Sequence, residues 1–131
     1  DSYIASRQAA ADRYDALLGG TPGVTVPFRD PRATHVFHQY TVLLADTDRD
    51  RVVELLAAEG IPTGVYYPVP GHAQEAFAGF GYEAHHYPVS SDLARKVLSL
   101  PMHTELTETQ QQHIAARLIA ACKAAKINEF A

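Results

Sequence analysis

Val36-Phe37-His38-Gln39-Tyr40-Thr41-Val42-Leu43-Leu44 is the stretch on which the fold turns, because it is rich in β-branched and aromatic residues. Side chains alternate across an extended backbone, so His38, Tyr40, Val42 and Leu44 are expected on one face of a strand. Directly after it, Thr47 and Asp50 stand three apart in the manner of a capping box. Val52, Val53, Leu55 and Leu56 then form an apolar stripe that Gly60 stops, which predicts a helix over 48–59. Ile61 to Tyr67 reads as a second strand, with Pro62 confined to its start because proline donates no ladder hydrogen bond.

Further along, Pro68, Pro70 and Gly71 force a turn, and a short helix is expected from His72 to Ala78. The loop from Phe80 to Pro88 is dense in aromatic residues and histidine, and Ser90 or Ser91 is placed to cap a brief helix that runs to about Arg95. Val97-Leu98-Ser99-Leu100, closed by Pro101, reads as a third strand. Thr107 with Gln110 opens a last helix, whose Ile114, Leu118, Ile119 and Cys122 share a face while Lys123 and Lys126 sit near its negative end. Upstream, Tyr3, Ile4, Ala10, Ala11, Tyr14, Leu17 and Leu18 repeat at helical spacing until Gly19-Gly20. The pattern is α+β: a small, mostly antiparallel three-stranded sheet with helices packed on one face.

Composition narrows the function. The 131 residues carry a formal charge of -4 with 47% hydrophobic and 20% charged residues, the balance of an ordinary folded domain. Acidic and basic residues are mixed, so no basic stripe exists to neutralise a nucleic-acid backbone. Apolar runs such as Val42-Leu43-Leu44-Ala45 fall far short of the ~20 residues that cross a bilayer. A single cysteine, Cys122, fits a reducing compartment, with the cytoplasm the simplest home. The start at Asp1, without methionine or a signal-like region, reads as a fragment with something upstream.

Chemistry concentrates in Gly64-Val65-Tyr66-Tyr67-Pro68-Val69-Pro70-Gly71-His72-Ala73-Gln74. Two prolines stiffen this loop, and its phenol, imidazole and carboxamide groups can bond a hydroxylated ligand. The alternative is that Tyr66 and Tyr67 simply pack, one inward and one outward, while His72 caps the helix behind them. Elsewhere, His35, His38, His72, His85, His86 and His103 lack the spacing of a zinc site. Cys122 on an apolar helical stripe is expected to be inert, and no nucleophile elbow or phosphate-cradling glycine loop occurs.

These segments resemble the C-terminal part of the DegT/StrS-type nucleotide-sugar aminotransferases. The resemblance runs from Ser6-Arg7-Gln8 and Arg13-Tyr14 through His35 to Val42, Gly60 to Gly64 and Tyr66-Tyr67-Pro68-Val69-Pro70, with His72 and Gln74, to Leu98-Ser99-Leu100-Pro101-Met102-His103. It implies the small domain of a fold-type-I pyridoxal-phosphate enzyme, residues 1–131 forming that domain and residues 1–18 the connecting helix to a large domain. It also implies a homodimeric parent that moves an amino group from glutamate to a keto nucleotide-sugar for lipopolysaccharide or other polysaccharide assembly. Tyr66, Tyr67, His72 and Gln74 would hold that substrate, with His38 and Tyr40 supporting the loop from behind. None of Lys96, Lys123 and Lys126 matches the family's cofactor lysine, so no catalytic, cofactor or metal residue is expected here. Some relatives acting on uronic-acid sugars have histidine-tyrosine at Tyr66-Tyr67, which leaves the sugar open. The rival reading is a stand-alone α+β module that binds a carbohydrate or a protein.

Overall fold

A computed structural model describes residues 2–127. Its helices are α1 (Ser2–Leu18), α2 (Arg49–Ala58), α3 (Pro88–Lys96) and α4 (Glu108–Ala124), and its strands are β1 (Val24–Thr25), β2 (Tyr40–Leu44) and β3 (Val97–Leu100). The strands form one antiparallel sheet in the order β1-β2-β3. Tyr40 stands opposite Leu100 and Val42 opposite Leu98, which turns those four side chains to the same face. There they meet Tyr14 and Leu18 of α1, Val52 and Leu56 of α2, and Ile114 and Leu118 of α4 in one core. Each fully buried Leu or Val in this layer stabilises the fold by about 1.5–3 kcal/mol.

Local signals account for three of the helices. α1 buries Ala10, Ala11, Tyr14 and Leu18, and Tyr14 donates its hydroxyl to the Pro101 carbonyl at 3.0 Å. α4 has the full capping box, Thr107 accepting from Gln110 N while the Gln110 side chain accepts from Thr107 N. Its Gln111 is buried yet satisfied, accepting from Arg13 Nε and donating to the Ala10 carbonyl at 2.7 Å, so the α1–α4 contact is pinned by polar groups inside an apolar seam. α2 is capped by Asp48, which accepts from Arg51 N. Thr47 instead donates to the Ala45 carbonyl, so the expected Thr47–Asp50 box does not form.

The strands depart further from the sequence reading. β2 begins at Tyr40 rather than Val36 because Phe37 takes a left-handed φ of 49°. The Phe37 N–H donates to His35 Nδ1 at 2.9 Å, a local bond that competes with any ladder. Phe37 is consequently buried and His38 exposed, outside the strand and off the face that holds Tyr40, Val42 and Leu44. The strand expected over 61–67 is reduced to one antiparallel bridge, in which Gly64 N donates to Ser99 O at 2.9 Å and Ser99 N to Gly64 O at 2.8 Å. Pro62 and Pro68 lack donors and Tyr67 turns to φ 58°, so pairing cannot spread either way. The third strand is β1, two residues long, on the far edge of β2.

α3 starts earlier than expected, with Pro88 in its first turn and no side-chain cap from Tyr87, so neither Ser90 nor Ser91 caps it. Between residue 70 and α3 the chain makes three short 3₁₀ turns, Gly71–Ala73, Glu75–Phe80 and Ala84–His86. No described helix is long and apolar enough to cross a membrane.

Candidate functional site

Ser99 is the anchor from which the site is built. Both of its ladder groups face Gly64, so its pairing with Thr41 is of the non-hydrogen-bonded kind that brings side chains close. The two hydroxyl oxygens lie 2.6 Å apart, sharing a hydrogen bond on the sheet face opposite the helical core. Two residues beyond Gly64 the chain reaches Tyr66 and Tyr67. The left-handed backbone at Tyr67 is uncommon for a bulky residue, and it aims the side chain outward, 82% exposed.

Opposite these tyrosines stands α3. Between the two lies a cleft of about 710 Å³, walled among others by Tyr66, Tyr67, Pro70, Tyr87, Leu93 and Val97. Its walls are mostly apolar and aromatic, with phenol groups, His86 and Ser90 as polar points, a lining suited to a ligand with both flat and hydroxylated parts. Pro88, Val89 and Ser90 place the first turn of α3, which has no side-chain cap, on the same cleft.

His72 stands one layer back. Its Nε2 lies 3.2 Å from Ser91 Oγ and its ring centroid 4.7 Å from that of Tyr87, so it links the 71–73 turn to α3. Gln74 is exposed and shares a neighbouring shallow hollow with Tyr67, Pro68 and Val69. Of the four expected ligand-holding residues, the structure thus puts Tyr66 and Tyr67 on one cleft, Gln74 beside it and His72 behind its wall.

His38 and Tyr40 do not back the loop as expected. Tyr40 is fully buried and its hydroxyl donates to Asp15 Oδ1 at 2.6 Å, while Arg29 pairs with Asp12 and Asp15. Burial first, and then the Asp15 carboxylate, hold the Tyr40 phenol far above its ordinary pKa. The residue therefore fastens α1 to the sheet, and Ser99 and Thr41 stand behind the loop in its place. Tyr87, Leu93 and Val97 were missed as site residues. The aromatic run before Pro88 was the available signal, but only the folded chain shows that α3 faces Tyr66.

The lysines stand apart from the cleft. Lys96 pairs with Asp92 at 2.7 Å, and Lys123 and Lys126 flank a separate hollow beside Gly19 and Gly20. Cys122 also borders that hollow, and burial pushes its thiol up to about 11. Among the described residues, no three His, Cys, Asp or Glu side chains gather as metal ligands.

Comparison with known proteins adds the decisive observation: a family model described as the DegT/DnrJ/EryC1/StrS aminotransferase family matches residues 1–119. The chain belongs to this family. One relative, named a pleiotropic regulatory protein from Geobacillus stearothermophilus, is 38% identical over 120 residues, 90% of this chain and 32% of its own length. Another, UDP-N-acetyl-3-dehydro-alpha-D-glucosamine 3-aminotransferase of Acidithiobacillus ferrooxidans, is 44% identical over 115 residues, 87% of this chain and 30% of its own. The crystal structure of Streptomyces venezuelae DesV in complex with a ketimine intermediate superposes with a TM-score of 0.87 at 33% identity, covering 94% of this chain and 33% of that one. The family member described here thus spans about a third of the proteins it matches, and its three-stranded sheet and helices are those of a portion of a fold-type-I aminotransferase.

Proposed function

We propose that residues 1–131 form the C-terminal small domain of a pyridoxal-phosphate-dependent nucleotide-sugar aminotransferase, with α1 as the connector to a large domain. The observation that carries this is the aromatic cleft between Tyr66-Tyr67 and α3, seated in a chain that belongs to a sugar-aminotransferase family. Tyr66 and Tyr67 offer flat faces and hydroxyls to a sugar nucleotide, Gln74 extends the polar rim, and His72 holds the wall through Ser91. The first turn of α3 has no side-chain cap, and the positive end of the helix dipole there suits a diphosphate.

The cofactor would supply the electron sink for amino transfer, with the protein supplying binding and orientation. The residues present do not furnish its lysine, since Lys96 is paired on α3 and neither Lys123 nor Lys126 borders the cleft. In this reading the lysine that would hold the cofactor is part of the large domain. Glutamate as amino donor, a homodimeric parent, a cytoplasmic setting and a role in lipopolysaccharide or other polysaccharide assembly complete the reading.

The experiment expresses the chain alone and joined to its upstream coding region, each with pyridoxal phosphate added. Only the joined form is expected to gain the cofactor's visible absorbance. In that form Tyr67→Ala should raise the KM for the nucleotide-sugar about tenfold, the ~1.4 kcal/mol scale of one aromatic contact. A joined form that binds no cofactor would overturn the reading in favour of a stand-alone carbohydrate-binding module.

A further inference from the structure

Gly64 lies where the sheet hands over to the wall of the cleft. Its N–H and C=O are both taken by Ser99, so its backbone is fixed to the edge of β3. A Cβ added to it would stand 2.8 Å from Tyr66 Cε2, 3.2 Å from Cζ and 3.4 Å from Oη. Carbon atoms rest at about 3.5–4.0 Å, so the outer edge of the Tyr66 ring occupies the space a side chain at 64 would need.

Two further facts separate this contact from ordinary packing. Gly64 is not among the residues with positive φ, so the backbone itself does not call for glycine. The clash would fall on the tip of a ring that is 51% exposed and free to swing into solvent, not on the backbone. An alanine at 64 therefore keeps both bonds to Ser99 and loses only the place of the phenol.

We propose that Gly64 is a positioning residue of the cleft: its bare Cα is the seat on which the Tyr66 ring rests, and it sets where the Tyr66 hydroxyl meets a ligand. The proposal rests on the nucleotide-sugar reading of the cleft and adds to it a residue that touches no ligand. A half-exposed tyrosine on a loop samples several rotamers, and ordering it on binding costs affinity. A seat anchored through Ser99 to Thr41 orders it beforehand. Among the described residues the Tyr66 hydroxyl has no hydrogen-bond partner, which leaves it available to a ligand.

The test has two arms. In nuclear magnetic resonance spectra of the 131-residue chain, the Gly64 α-protons should be displaced from their usual position by the Tyr66 ring current and show cross-peaks to the ring. Tyr66→Ala should abolish both effects, and this arm stands even if Gly64→Ala fails to fold. Absence of shift and cross-peaks in the unmodified chain overturns the seat. In the second arm, UDP-N-acetylglucosamine and dTDP-glucose are titrated into the chain joined to its upstream region. Gly64→Ala is expected to weaken the better ligand about fivefold, and to have no effect once Tyr66 is already alanine. An equal loss in both backgrounds overturns the proposal, because Gly64 would then act without Tyr66. Binding that Tyr66→Ala leaves unchanged, with the cross-peaks present, overturns instead the assignment of Tyr66 to the nucleotide-sugar.

Discussion

Cys122 sits on the buried face of α4, 7% exposed, among Leu118, Ala121 and Ala125. Burial disfavours the thiolate and pushes the thiol to about 11. Below the ordinary thiol range, near 8.5, the folded and unfolded chains both hold the proton and its contribution to stability is complete. Between there and about 11 the unfolded chain gives up a proton that the folded chain keeps, so stability falls as pH rises. The loss is on the order of 2 kcal/mol by pH 11. Urea unfolding of the chain and of Cys122→Ala at pH 8 and pH 11 isolates it, because the buried phenols of Tyr14 and Tyr40 titrate in both. A difference between the two proteins that does not change with pH would show that the site is wetter than its packing. This burial was legible from the 114, 118, 122 spacing, whereas the partner of Tyr40 was not: Asp15 lies 25 residues upstream and meets it only through the fold.

Helices proved more readable than strands, for a reason of range: β3 has the bounds its sequence predicts and β2 is shortened at its start, but the strand expected over 61–67 is absent and β1 was not foreseen. α1, α2 and α4 are written in periodicity and stop signals that act within a few residues, as with Gly60 after α2 and Thr107 before α4. A strand exists only where a distant partner accepts it. Two residues at Val24 qualify because Leu43 and Leu44 pair with them, while the seven-residue segment from Ile61 contributes a single bridge. The cleft was half legible for the same reason: Tyr66 and Tyr67 stood out in the sequence, but the facing side depends on where α3 docks. Arg49 decides much of that docking. Its side chain is nearly buried, and its Nη1 donates to the carbonyls of Ala94 at 3.3 Å and Val97 at 3.1 Å, joining α2 to the end of α3. Arg49→Met keeps the apolar stem and removes both bonds. Amide hydrogen exchange in α3 should then quicken about tenfold, with α4 unchanged, since bonds from a charged donor are worth about 1.5–3 kcal/mol. Equal quickening in both helices would mean that Arg49 supports the whole core.

The molecule as a whole divides into a buried layer and an uncovered one. No described side chain from 62 to 97 is buried, although Tyr66, Tyr67, Phe77, Phe80, Tyr82, Tyr87 and Val89 all lie there. α1 leaves Tyr3 and Ile4 uncovered at its start, but most of the exposed apolar surface belongs to this one segment. So much uncovered aromatic surface is the face that the proposed large domain would cover. Its middle part is held by short 3₁₀ turns and ring contacts such as Phe80 on Tyr82, with little to resist local opening. Chymotrypsin in limiting amount should therefore cut the chain first between Phe77 and Tyr87. Phe28 is the sharp control, because at 83% exposed it is more accessible than any of them. Its neighbour Arg29 is bound to Asp12 and Asp15 and stacked over Phe37, so the backbone there cannot spread into a protease as readily. Mass spectrometry of the earliest fragments decides between opening and mere exposure: first cuts at Phe28 would sink the argument. Joined to its upstream region, the chain should lose the cuts at 77–87 and keep any at Phe28, because a covering domain protects only the face it sits on.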